Sequence, residues 1–213
     1  MQSLFSLDNP VIHFLSQVGD MIIANLLFLI CSVPIVTIGA GWVTLHKITQ
    51  DIVNQEDQAL LRTFFRVFKE NFKQATISWL LLLLFLVCMG GNYLLIISYT
   101  VGSTQTILKV ILAVITVFVL GIGAHLFPLI ARYDNDLRQH FVNAVVLSVI
   151  KLPKTLLMVF VNLLPLVVAY FSLNTFISTL VFWLFIGFSF ACFVASQLLV
   201  PVFKQLEGAK DTK

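Results

Sequence analysis

Four stretches of this chain, 21–46, 74–108, 110–131 and 155–203, contain no Asp, Glu, Lys or Arg. A bilayer hydrocarbon core is crossed by about 20 apolar helical residues. The first stretch holds one such span, Met21–Leu45. The second holds one span near Gln74–Ile97, followed by a loop. The third is a span near Val110–Ala131. The fourth is too long for one helix and divides at Ser172-Leu173-Asn174-Thr175 into Thr155–Phe171 and Phe176–Phe203. The expected fold is all-α, a polytopic bundle of five spans forming a single transmembrane domain over residues 1–213. Only 11% of the chain is charged and 59% is hydrophobic, whereas a soluble domain carries roughly 25% charged residues. That balance excludes a disordered chain, a nucleic-acid reader and an ordinary soluble enzyme. A membrane β-barrel would alternate apolar and polar residues, but Trp79–Met89 is apolar without interruption.

Cations sort by segment. Lys47, Arg62, Arg66, Lys69 and Lys73 follow span one. Arg132, Arg138, Lys151 and Lys154 precede span four, and Lys204, Lys210 and Lys213 follow span five. Lys109 is the one remaining cation, and Met1–Gly19 has none. The positive-inside rule then predicts an outside N-terminus and a cytoplasmic C-terminus. Without a positive leader region, the first apolar stretch does not read as a cleavable signal peptide. Asp20 and Lys109 fall at predicted outer ends, where they could pair.

The loop before span two has helical spacing. Leu61, Phe64, Phe65, Phe68 and Phe72 share one face, and Arg62, Arg66, Lys69 and Lys73 fall largely on another. This predicts a basic amphipathic helix at the inner membrane surface. Phe141–Ile150, followed by Lys151-Leu152-Pro153-Lys154, repeats the plan before span four. A weak internal duplication and the positive-inside constraint both account for the repeat.

Asn25-Leu26-Leu27, Ser32-Val33-Pro34-Ile35-Val36-Thr37-Ile38-Gly39-Ala40, the Phe64–Ala75 segment and Phe127-Pro128-Leu129-Ile130-x-Arg132-Tyr133 carry a resemblance. On these residues the chain resembles the YesL-like family of bacterial membrane proteins, a domain of unknown function. The resemblance implies a multi-pass protein of the bacterial cell membrane. It also implies an association with sugar-uptake ABC transporter components. It transfers no activity to any residue.

Pro34 and Gly39 interrupt span one. A mid-helix proline removes a backbone hydrogen bond, and Thr37 could cap a second helical segment through Gly39–Gln50. Such a broken helix could line a path for a small polar solute, or it could be a kink packed on its neighbours. Candidate ligand-binding residues at membrane depth are Asn25, Thr37, Gly39, Asn92, His125 and Asn162. Acids and fixed cations are missing at that depth, which weighs against ion coupling. Gly187, Ala191 and Ala195, at steps of four, form a small-residue ridge. With Pro34 they are candidates for helix packing or a partner interface. Cys31, Cys88 and Cys192 all fall in apolar stretches. Nucleophile-elbow, zincin and P-loop motifs are missing, and the four histidines lack ligand spacing. Neither enzyme activity nor a cofactor or metal is expected. The expected function is that of an accessory component of carbohydrate (ABC-type) uptake. Its expected partners are the lipid bilayer, permease subunits and further copies of itself, and no nucleic acid. The alternative is a passive channel or facilitator for a small polar solute.

Overall fold

The computed structural model describes residues 10–56 and 59–211. Residues 1–9, 57–58 and Lys213, which enter the charge reading above, lie outside them. The helices are α1 (Pro10–Cys31), α2 (Ile38–Asn54), α3 (Leu60–Tyr99), α4 (Gly102–Arg132), α5 (Leu137–Ile150), α6 (Leu152–Phe171), α7 (Leu173–Phe182) and α8 (Phe188–Asp211). Five helical segments are long and apolar enough to cross a membrane: Phe14–Cys31, Leu60–Tyr99, Gly102–Arg132, Leu152–Phe171 and Ile177–Gly208. This is a multi-pass membrane protein.

The expected single span Met21–Leu45 is corrected by the structure. α1 ends at Cys31, and the chain turns back through Ser32–Thr37 into α2. Proline has no N–H, and it drives the residue before it out of the helical region. The ring of Pro34 fixes its φ near −77°, and its ψ of 119° leaves the backbone extended rather than helical. The turn is closed by Thr37, whose hydroxyl donates to the carbonyls of Cys31 and Pro34. Thr37 precedes α2, as expected of a cap, but its side chain caps no α2 amide. It satisfies carbonyls at the end of α1 instead. The result is an antiparallel hairpin. Phe28 packs edge-on against Trp42, with centroids 5.4 Å apart, and Asp20 shares a small pocket with Asp51 and Thr63.

α2 runs through the middle of one half of the molecule, packed by α1, α3, α4 and α8. Nearly every residue from Gly39 to Asp51 is buried. Contacts this close need residues without bulk. A Cβ on Gly39 would meet the Ala75 carbonyl oxygen of α3 at 2.3 Å. The chain leaves α2 through Gln55, which takes a left-handed conformation at φ 59°, a common way to end a helix.

α3 is one continuous helix of 40 residues, about 60 Å at 1.5 Å per residue. The separate surface helix expected before span two is therefore corrected. Leu60–Lys73 is the first half of the same rod. It is amphipathic as expected, but Phe64 is fully buried in a cluster with Phe28, Leu45 and Ile48 of the hairpin. Arg62, Arg66, Lys69 and Lys73 lie on its exposed side. The second lead-in does stand apart, as α5. It breaks from α6 at Lys151, with Pro153 at the start of α6, where a missing N–H costs nothing.

The α3–α4 turn is made by Gly102 at φ +64°, a conformation glycine adopts without Cβ strain. α4 then returns beside α3, with Gly123 packed on Leu82. The division at Ser172 falls where expected. Ser172 caps α7, its hydroxyl accepting from the Thr175 N–H at 3.2 Å. α7 continues through a π-helical turn, Trp183–Gly187, into α8.

The hairpin also decides which helix ends meet. The Asp20 region of α1 lies by the end of α2 and the start of α3. The end of α4 meets the end of α8 through Arg132 and Glu207. Gln74 of α3 donates to the carbonyl of Asn135, just past α4. The ends of α4 and α8 and the Lys73–Gln74 region of α3 thus meet at one basic end of the bundle, while the end of α2 meets the start of α3. The expected pair is separated: Asp20 lies by the start of α3, whereas Lys109 lies towards the other end of α3, 6.0 Å from the Tyr93 ring centre.

Candidate functional site

The polar residues of the interior converge on α2 and its contacts with α1 and α8. Asn25 is fully buried on α1. Its amide donates to the carbonyls of Trp183, at 3.1 Å, and Leu184, at 2.7 Å. Its carbonyl oxygen accepts from the Ser189 N–H at 2.9 Å. A π turn disturbs the regular ladder of helical hydrogen bonds, and Asn25 binds the backbone at that irregularity. Ser189 completes the clamp by donating to the Met21 carbonyl at 2.7 Å.

On α2, His46 Nε2 lies 3.7 Å from Cys192 Sγ. Thr49 and Ser196 share a hydrogen bond of 2.9 Å, and Gln50 donates to the Pro128 carbonyl at 3.1 Å. Burial lowers the His46 imidazole well below its usual range. Lys47 and Asp51 form an i,i+4 ion pair at 2.7 Å. Asp51 lies within α2 and is buried. Burial raises its carboxyl above the usual range, and Lys47 opposes that shift.

The other expected site residues scatter. Gly39 is a contact between α2 and α3. Asn92 is exposed on α3 and donates to its own helix, at the Cys88 carbonyl. His125 is buried on α4, with Nδ1 3.0 Å from the Gly121 carbonyl. Asn162 donates to the Met158 carbonyl of its own helix at 2.8 Å. Pro34 is exposed at the hairpin tip. Gly187, Ala191 and Ala195 are buried inside the bundle, so their ridge faces this chain's own helices. The expected ligand set is not brought together.

One cavity of about 200 Å³ does form. Its walls include Trp42 of α2, Trp79 and Leu86 of α3, Gly123 and Phe127 of α4, and Asn162 of α6. Asn162 is the one polar side chain among residues otherwise aromatic, aliphatic or glycine. Such a lining suits an apolar guest, because dry apolar cavities of roughly 150 Å³ accept molecules such as benzene.

Sequence reasoning missed the cluster at the basic end. Arg132 donates through Nε and a terminal nitrogen to both Glu207 carboxylate oxygens, at 2.8 and 2.9 Å. Tyr133 donates its hydroxyl to the same carboxylate at 2.8 Å. Burial and the Glu207 charge push the Tyr133 hydroxyl up to about 12. Paired donation to a carboxylate is a strong geometry for arginine, but the Glu207 side chain is 40% exposed. Solvent screening holds the expected contribution to about 1 kcal/mol. Glu207→Ala should lower the melting temperature in detergent slightly. The charge-exchanged variant with Arg132→Glu and Glu207→Arg should recover part of the loss. No recovery would show that the pair is not a local clamp. Among the described residues, no group of three His, Cys, Asp or Glu is placed to hold a metal ion.

Residues 21–93 match the family model described as a protein of unknown function, DUF624. The match begins in α1 at Met21, spans the whole hairpin and reaches Tyr93 in α3. It includes Asn25, the Ser32–Thr37 turn, Gly39 and the basic half of α3. No curated protein and no solved structure matches the chain.

Proposed function

We propose that this protein is a non-enzymatic accessory component of carbohydrate uptake in the bacterial cell membrane, acting by contact with ABC-type permease subunits. The observation that supports an accessory role is the disposition of its polar and apolar groups. Asn25, Thr49, Gln50 and Ser196 are engaged with other parts of the same chain. By contrast, α3, α4 and α6 turn many large apolar side chains outward, Leu84, Val87, Leu94, Val114, Phe160 and Leu166 among them. Such surface is available to lipid and to another membrane protein. The carbohydrate link is carried by the YesL-like resemblance. The positive-inside rule places the basic end of the bundle in the cytoplasm.

The passive-channel alternative has less support. Its candidate asparagines do not face a common path, and the cavity that Asn162 borders is apolar. Purification of a tagged copy from native membranes after mild crosslinking tests the accessory reading. A sugar-transporter permease should be recovered with the protein. Recovery of the tagged protein alone at every detergent strength would overturn the reading.

A further inference from the structure

We infer that the cavity between α2, α3, α4 and α6 is a lipid site that takes one acyl chain of an anionic phospholipid. Hydrocarbon suits the lining, and the surroundings supply it. α4 packs on both α3 and α6, whereas α3 and α6 form no packed pair with each other. The cavity therefore has a lateral gap between two helices that are long and apolar enough to cross a membrane. Both helices carry exposed apolar residues, Leu84 and Phe160 among them. A chain entering there leaves lipid for an apolar pocket without burying any polar group of its own.

The headgroup charge is argued from the cations that follow the cavity along its walls. On α3, Lys73 lies six residues before Trp79. On α4, Arg132 lies five residues after Phe127. On α6, Lys154 lies five residues before Val159, another wall residue. At 1.5 Å per residue each is about 8–9 Å from the cavity along its helix. The antiparallel course of α3 and α4 and the parallel course of α3 and α6 put all three toward the same end. Arg132 is held by Glu207, and Lys154 donates to the Leu198 carbonyl at 2.8 Å. An ammonium has three protons, so Lys154 keeps donors for a phosphate, and Lys73 is exposed. A phosphate at this level leaves its chain running toward Leu86, Leu120 and Leu163, away from the basic end.

Tryptophan provides the test, because two of the three tryptophans, Trp42 and Trp79, line the cavity. The Trp183→Phe variant is reconstituted into phosphatidylcholine vesicles containing a minor fraction of lipid brominated on its acyl chains. In one set the brominated lipid is phosphatidylglycerol, and in the other it is phosphatidylcholine. Lipid that merely surrounds the protein quenches equally in both. A site with a cationic rim should favour phosphatidylglycerol by about fivefold per engaged cation. Quenching should saturate with the brominated fraction. Equal quenching by both lipids would overturn the assignment. Ala124→Phe, which fills the cavity from α4, should abolish the excess, and Leu163→Phe should do the same from α6. An excess that survives in either folded variant would place the anionic lipid elsewhere and overturn the site. Lys73→Gln should reduce the preference without altering quenching by brominated phosphatidylcholine.

Discussion

Gly39→Ala should give a protein that melts well below wild type, the largest loss expected from adding a single methyl group. The added Cβ would stand 2.3 Å from the Ala75 carbonyl oxygen and 2.6 Å from Trp79 Cβ. Neither neighbour is the far end of a flexible side chain, so α2 and α3 must separate. Overpacking costs about 1–3 kcal/mol where side chains can adjust, and occasionally more. The backbone contact puts this site at or above the top of that range. Gly41→Ala makes an informative comparison. There the new methyl meets the Phe28 ring at 2.9 Å, and a ring can rotate. Thermal unfolding in detergent, followed by intrinsic fluorescence, should rank wild type above Gly41→Ala, and Gly41→Ala above Gly39→Ala. A Gly39→Ala protein as stable as wild type would show that the two helices are not in backbone contact.

Asn25→Ala should be nearly as damaging, for a different reason. It removes three hydrogen bonds and leaves the Trp183 and Leu184 carbonyls and the Ser189 N–H without the partner they have now. An orphaned buried group costs about 1–3 kcal/mol. Hydrogen bonds between membrane helices average about 0.6 kcal/mol, with larger cases near 2. A total loss of about 2–4 kcal/mol follows from several groups failing together. Asn25→Asp separates shape from chemistry. It has nearly the same volume but, when ionised, no donor for the two carbonyls. It should therefore fail to rescue. If Asn25→Asp melts like wild type, the two donor bonds contribute nothing, and Asn25 is only a space-filling residue.

Much of the architecture was legible in the charge pattern. Long charge-free intervals located the apolar helices, and the polar group Ser172–Thr175 marked the turn before α7. The interruption at Pro34 was legible too, as was a second helical segment after Thr37. What one-dimensional reading missed was the reversal. A proline in an apolar run reads equally as a kink or as the tip of a hairpin, because local backbone restriction does not specify the direction of exit. The basic half of α3 was misread for a related reason. Its Phe face suits a lipid surface as well as a protein surface, and only the hairpin's return supplied Leu45 and Ile48 as partners for Phe64. The polar stripe His46, Thr49 and Gln50 was detectable at steps of three and four. It was hidden by the assumption that α2 was the tail of a span. Asn25 stood out as a buried polar residue, but its partners lie more than 150 positions away, beyond the reach of local pattern.

The clamp between α1 and α8 sets an order of events during synthesis. α2 carries a polar stripe and an ion pair, and one of its faces is completed by Cys192 and Ser196. Those residues leave the ribosome after every other helix except the remainder of α8. Until then the hairpin can pack on α3 and α4, but Asn25, His46 and Thr49 lack their α8 partners. Contacts of such long sequence separation form late and leave intermediates exposed. A nascent chain stopped before α8 would leave Asn25 without Ser189, His46 without Cys192 and Thr49 without Ser196, the kind of defect by which an incomplete membrane protein is distinguished from a finished one.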